Sequence, residues 1–307
     1  MAENSEHKLI LVVRRTRLDD LVARFNTRDQ ARFYIQHLGG DFSDYIAEHE
    51  QYQQARAAAE AALRQFGRVQ VLDRSFLPNF LFGQADTVVV LGQDGLVVNT
   101  AKYLTGQPVV GVNPDPDRWD GILLPFTVRD LGKIMADALA GHRSVRNVTM
   151  AMAALNNGQR LYAVNDLFIG PKSHTSARYE IRVGKSAEQQ SSSGMIISTG
   201  VGSTGWLKSI LSGARAINAG AAGPADSAFP WDADYLVYSV REPFPSKTTG
   251  ATLVHGKIGR NEPIVLRSLM PENGVIFSDG IESDFLEFNS GTEATVSVAD
   301  KQAHLVV

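Results

Sequence analysis

Apolar residues come in two textures along this chain, and the texture changes near Ser144. Up to that point short apolar runs alternate with long segments of helical period. KLILVV (Lys8–Val13), VQVLD, TVVVLG and PVVGVN are brief β-branched runs, too short for helices and apolar on both faces. Between them, DDLVARFNTRDQARFYIQHL reads as one helix. DYIAEHEQYQQARAAAEAALRQF reads as another, because alanine and long unbranched side chains favour helix intrinsically. TVRDLGKIMADALAG closes the region as a third, with Thr127 as its N-cap and Gly141 just past its end. Strands buried on both faces and separated by helices predict a parallel sheet with helices on either side, a Rossmann-like three-layer α/β domain.

Beyond Ser144 the period shortens. VRNVTMAMAAL, YAVNDLFIG, ARYEIRV, GMIIST, DYLVYSV, ATLVHGKI, PIVLRSL, GVIFSD, ATVSVA and AHLVV are strand-like pieces between turn residues. One helix interrupts them, near Ser203–Leu211, and Asn218–Pro230 is a Gly/Ala/Pro-rich loop. That spacing predicts an all-β, sandwich-like domain. The expected division is 1–143 for the α/β domain and 144–307 for the β-rich one.

Composition narrows the function classes. The chain has 307 residues, no cysteine and a formal net charge of −3. No disulfide, thiolate metal site or thiol nucleophile is available, which fits a reducing compartment. The charge supplies no field for nucleic acid. The longest apolar runs are about five residues against the ~20 that a membrane-spanning helix needs. The first residues, MAENSEHKLI, carry no basic stretch followed by an apolar core. A soluble cytoplasmic protein is the expectation, with no nucleic-acid or membrane partner.

The chemistry concentrates where TVVVLG meets GQDGL. Open α/β sheets bind ligands at the carboxyl ends of their strands. A glycine turn there lets backbone N–H groups approach a phosphate, and the following helix start adds partial positive charge. An acid in that place, Asp94, repels phosphate unless it holds Mg²⁺ or takes a proton from an attacking hydroxyl. The plain alternative is an ordinary strand-to-helix turn capped by Asp94. GVGSTG (Gly200–Gly205) matches a dinucleotide fingerprint, but no acid at a second strand end follows ~20 residues on. GKS at Gly184–Ser186 is no Walker A loop, because Tyr179 stands where its first glycine would be. His142, His174 and His255 lack ligand spacing, so no protein metal site is expected. Asp115, Asp117 and Arg118 form a charged loop that either touches nucleotide or subunit or is simply solvated. Asp279-Gly280 reads as a hairpin turn.

Taken together, VVVLGQDGL, YAVNDLFIG and SSGMIISTGVGSTGW resemble the NAD kinase family. That family carries GGDGT, N-E/D and a glycine-rich STPTGSTAY-like motif in this order. They correspond here to Gly92–Leu96, Asn165–Asp166 and Ser198–Trp206. The finer likeness is to the mitochondrial-type NAD kinases and their bacterial relatives. It rests on GVNPDPDR (Gly111–Arg118), NDLFIG, Ser193-Gly194 and TGVGSTGW, with VREPF (Val240–Phe244) a weaker echo. The resemblance implies transfer of the ATP γ-phosphoryl to the 2′-hydroxyl of the adenosine ribose of NAD, giving NADP. It implies Asp94 as the base, and Gly92, Gln93, Gly95 and Asn113 at ATP. It places Asn165, Asp166, Ser203, Thr204, Gly205 and Trp206 at NAD. Mg²⁺ would come with ATP, no cofactor would be tightly bound, and a homodimer is expected. Ser203 and Thr204 equally suit the start of the helix that follows, and Trp206 equally suits a core.

The chain departs from the family at GQDGL. Gln93 puts a side chain where a second glycine would be, and Leu96 removes a hydroxyl. A nucleotide-binding sensor that has lost transfer, or a related lipid kinase of the same plan, are the competing functions. NDLFIG and TGVGSTGW argue against the lipid kinase, since they resemble NAD-recognising segments.

Overall fold

The computed structural model describes residues 7–219 and 227–307, and its contacts divide the chain into two compact units. Unit 1 comprises 1–100, 106–146 and 304–307; unit 2 comprises 101–105 and 147–303.

In unit 1, strands β1 (Lys8–Val13), β2 (Arg68–Asp73), β3 (Thr87–Leu91) and β4 (Pro108–Asn113) form a parallel sheet in the order β2-β1-β3-β4. The two-residue β5 (Phe126–Thr127) and, beside it, His304 and Leu305 extend β4 in parallel. Every residue of β1 from Leu9 to Val12, and of β3 from Val88 to Leu91, has no exposed surface, which accounts for their unbroken apolar runs. Among the described residues, five α-helices belong to or begin in this unit: α1 (Arg17–Phe25), α2 (Arg28–His37), α3 (Phe42–Leu63), α4 (Asp94–Ala101) and α5 (Leu131–Leu139). Tyr52, Ala59 and Leu63 of α3, with Leu131, Ile134 and Met135 of α5, cover the sheet face that carries Leu9, Leu11, Val89, Leu91, Val110 and Val112.

The segment expected as one helix over 19–38 is two. Asn26 turns left-handed at φ 65°, and Thr27 restarts the chain by accepting the Gln30 N–H. A left-handed asparagine followed by a threonine cap is a stop and a start in three residues. Thr127 does head the last helical segment, as a capping box with Asp130, and Gly141 takes φ +71° beyond its end.

Unit 2 is antiparallel. Its strands are β6 (Val145–Leu155), β7 (Arg160–Ala163), β8 (Asp166–Pro171), β9 (Ala177–Val183), β10 (Ser186–Ser192) and β11 (Met195–Ser198), then β12 (Tyr235–Val240), β13 (His255–Gly259), β14 (Ile264–Ser268), β15 (Gly274–Ser278), β16 (Ile281–Glu287) and β17 (Glu293–Val306). One sheet runs β13-β12-β11-β8-β15-β16. The other runs β10-β9-β14-β17, with β6 joining β17 to β7. Leu167, Ile169, Ile197 and Ile276 of the first meet Tyr179, Ile181, Leu266 and Val296 of the second in one buried core, the sandwich that the alternating pattern predicts. Helix α6 (Trp206–Ala219) covers the outer face of the first sheet, packing Leu207 on Phe168, Ile196, Val237 and Val275. It is longer than the sequence suggests and takes in 218 and 219 of the expected loop; 220–226 lie outside the described residues. Among the described residues, no helix is long and apolar enough to cross a membrane.

Candidate functional site

Strand order β2-β1-β3-β4 makes the gap between β1 and β3 the point where connections leave in opposite directions, the usual ligand position in such sheets. The GQDG turn lies at the carboxyl end of β3, at that point. Gly92 donates its N–H to the Val112 carbonyl at 3.2 Å, and the Gln93 carbonyl receives the N–H groups of Leu96 and Val97. The helix is thus entered through Gln93, and Asp94 does not cap it. The half-buried Asp94 carboxylate reaches instead to the 121–124 loop, accepting from Leu123 N–H at 2.7 Å and Ile122 N–H at 3.3 Å. A carboxylate has about four lone-pair sites, so these two bonds orient it and leave acceptor capacity for a hydroxyl.

Leu96 is 5 % exposed and lies under the turn; a Cβ on Gly92 would come 2.8 Å from its Cδ2. Gly95 faces open space. Behind the turn, the Tyr52 hydroxyl donates to the Leu91 carbonyl at 3.0 Å and accepts from Arg14 N–H at 2.9 Å, joining α3 to the ends of β3 and β1. Asn113 is buried and uses its amide within its own loop, donating to Trp119 O and accepting from Asp115 N–H. Arg118 of that loop pairs with Asp44 at 2.7 Å and with Asp115 at 3.4 Å, so this charged segment is held to α3 rather than free in solvent. Arg118 and then Arg17 hold the Asp44 carboxyl down to about 2. A cavity of about 450 Å³ opens beside Asn113, lined also by Gln51, Gln54, Asp115 and Thr127.

Unit 2 brings the other two motifs together through sheet register. Asp166 at the start of β8 stands opposite Ser198 at the end of β11, and Leu167 stands opposite Ser278 at the end of β15. Three strand ends therefore coincide, and the turns leaving them share one place. The first two glycines of GVGSTG serve close backbone approach there. A Cβ on Gly202 would lie 2.3 Å from the Asn165 carbonyl oxygen, and one on Gly200 would lie 2.0 Å from that of Pro230. Ser203 is fully buried, donating to Gly200 O at 2.7 Å and accepting from Phe229 N–H, so its hydroxyl shapes the loop. Thr204 and Gly205 are exposed at the start of α6.

The sequence marks Asp279 only as a hairpin residue. It does sit in the β15–β16 turn, at φ 54°, but its carboxylate faces inward onto the Asn165–Asp166 turn. Its Asp-Gly pair was the one local signal, and that signal names the turn and not its partner. Asp166 has one oxygen, Oδ1, enclosed and without a hydrogen-bond partner among the described residues. Burial, with the Asp279 charge adding to it, pushes Asp166 up to about 7. Burial likewise raises Asp279 to about 6, against the opposing pull of the Asn165 and Val164 N–H groups and the Lys102 charge. Lys102, itself buried, donates to Ser278 Oγ at 3.0 Å and Asp284 Oδ2 at 2.9 Å.

Trp206 both packs and faces a cavity. It stacks on Phe168 of NDLFIG with centroids 5.7 Å apart and planes 7° from parallel, and Arg241 lies over both rings. The cavity, of about 630 Å³, is lined by Phe168, Trp206, Phe277, Lys172, Arg241 and Glu282 among others. Among the described residues, no group of three or more His, Asp or Glu is placed to hold a metal ion.

No family model matches the chain. Curated NAD kinases do match part of it. That of Nitrosomonas europaea is 30% identical over 135 residues, 41% of this chain and 44% of that one. That of Acinetobacter baylyi is 30% identical over 157 residues, 48% and 49%. The chain thus spans about half the length of the curated relatives it matches. Among solved structures, an NAD kinase from Archaeoglobus fulgidus in complex with ATP superposes with a TM-score of 0.59 at 15% identity, over 98% of this chain and 93% of that one. Yeast NADH kinase complexed with NADH gives 0.58 at 13%, over 98% and 83%. These two likenesses establish the fold. The α/β unit and the antiparallel unit agree with that fold, and the stretch matched in sequence is similar to curated NAD kinases.

Proposed function

We propose that this protein is an NAD kinase, moving the γ-phosphoryl of ATP to the 2′-hydroxyl of the adenosine ribose of NAD. The observation that carries the reading is Asp94: a half-buried carboxylate at the switch point of a parallel sheet, turned away from capping and oriented by two N–H donors. Phosphoryl transfer asks chiefly for positioning and charge neutralisation, with a base to take the hydroxyl proton. Asp94 takes that proton, and the GQDG backbone and the start of α4 receive phosphate. Asn165 and Asp166 hold adenine edge and ribose. The 202–206 segment shapes the wall of that site, with Trp206 as its aromatic surface.

Magnesium enters with the triphosphate as substrate. Such an ion keeps its ligands on phosphate and water, as Mg²⁺ readily does. The protein works in the cytoplasm as a homodimer.

A second reading has its own observation. Leu96, in the place of the family threonine, is buried and offers no hydroxyl to phosphate or helix. A protein that binds NAD(P) and no longer transfers phosphate would have that sequence. Incubating the purified protein with NAD, ATP and Mg²⁺ and assaying NADP decides between them: product supports the kinase, and NAD binding without product supports the sensor.

A further inference from the structure

Val164 and Asn165 lie between β7 and β8, outside any strand ladder, and Asp166 opens β8. The backbone groups of this stretch must find partners elsewhere. On the carbonyl side, Val164 O receives the Thr199 hydroxyl, Asn165 O receives Thr199 N–H at 2.9 Å, and Asp166 O receives Asp279 N–H at 2.9 Å. On the donor side all three N–H groups converge on one carboxylate. Asp279 Oδ1 accepts from Asn165 at 2.7 Å, Val164 at 3.1 Å and Asp166 at 3.3 Å, and Oδ2 accepts from Val164 at 3.1 Å. Successive N–H groups around an anion form a nest, and bonds to an ionised acceptor are about twice as strong as neutral ones.

The result is a turn whose six backbone groups are all used, while the Asn165 side-chain amide has no protein partner among the described residues. We propose that Asp279 is a positioning residue for the dinucleotide site, clamping the 164–166 turn so that Asn165 is held ready for its ligand. This rests on the NAD kinase reading and adds to it a residue 114 positions away from the one it serves. Lys102 supports the clamp by fixing the neighbouring Ser278 and by supplying the nearest positive charge.

A clamp built in advance differs from a turn that forms on binding. In the wild-type protein without nucleotide, hydrogen exchange at the Val164, Asn165 and Asp166 amides is expected to be slowed at least a hundredfold, and NAD adds little. Exchange near the unfolded rate without NAD overturns the proposal, with no variant needed. Asp279→Asn keeps the left-handed turn, which asparagine tolerates, and removes the charge. Its KM for NAD is expected to rise at least tenfold, with KM for ATP changing less than about threefold. In an Asn165→Ala background the same substitution raises KM for NAD by less than threefold. A folded Asp279→Asn protein with unchanged KM for NAD, or with equal losses for both substrates, overturns the clamp. Calorimetry with NAD alone separates the levels. Wild type that fails to bind NAD brings down the functional reading, whereas equal binding by wild type and variant brings down only this inference.

Discussion

Asp94, in the first turn of α4, is tied by a 2.7 Å hydrogen bond to the backbone N–H of Leu123, 29 residues further along. The bond fixes the carboxylate's direction without neutralising it. Asp94→Asn keeps an oxygen for Leu123 and removes the proposed base. NADP formation is expected to fall by about 10²–10⁴-fold, the usual worth of a general base, while NAD affinity measured by calorimetry stays within about twofold. Near-normal turnover would remove Asp94 from the mechanism.

Tyr52 holds the floor of the same turn. Tyr52→Phe strands two buried backbone groups, Leu91 C=O and Arg14 N–H. An unsatisfied buried group costs about 1–3 kcal/mol, so denaturant unfolding should show a loss of that order with an unchanged slope. A loss below about 0.5 kcal/mol would mean that water replaces the hydroxyl.

Gly202 and Gly213 lie eleven residues apart and predict opposite signs. A Cβ on Gly202 meets the Asn165 carbonyl oxygen at 2.3 Å and Asp166 Oδ1 at 2.8 Å, both fixed by the fold. Gly202→Ala is expected to destabilise by about 1–3 kcal/mol and to weaken NAD binding. Gly213, exposed within α6, has nothing within 4 Å. Gly213→Ala is expected to stabilise by about 0.4–1 kcal/mol. Thermal unfolding of the two variants reads both signs.

Asp166 makes stability depend on pH. Its carboxyl is raised by burial from 3.8 to about 7, so the folded protein holds that proton where the unfolded chain has lost it. The stabilisation is whole below pH 3.8 and is lost as pH rises through 7. At about 1.4 kcal/mol per unit, Asp166→Asn should gain up to about 4 kcal/mol on wild type between pH 4 and 8, shared with Asp279 because the two carboxyls titrate as a pair. Denaturant unfolding of ligand-free protein across that range checks it; parallel pH profiles for the two proteins would refute it.

Much of the architecture was written locally. KLILVV and TVVVL are apolar at every position because both sheet faces are buried, and the capping box at Thr127 and Asp130 marks its helix with residues three apart. The break at Asn26 and Thr27 was equally local, yet the apolar period runs through it, and the period masked the caps. GQDG, NDLFIG and TGVGSTGW stand out in the sequence as glycines and paired polar residues at strand ends, and Gly200, Gly202 and Ser203 have structural roles there as well. Trp206 suits either a core or a ligand surface by sequence, and in the fold it stacks on Phe168 and lines a cavity.

What the residue order determined alone is therefore what depends on near neighbours: period, caps, turns and the identity of the chemical groups. Only the tertiary structure decided which groups meet. Asp94 with Leu123, Lys102 with Asp284 and Asp279 with Asn165 are joined by strand pairing and loop return over 29, 182 and 114 residues. A side chain that caps its own turn and one that reaches across to clamp another have the same local sequence. The difference lies in sheet register, which the whole core sets at once.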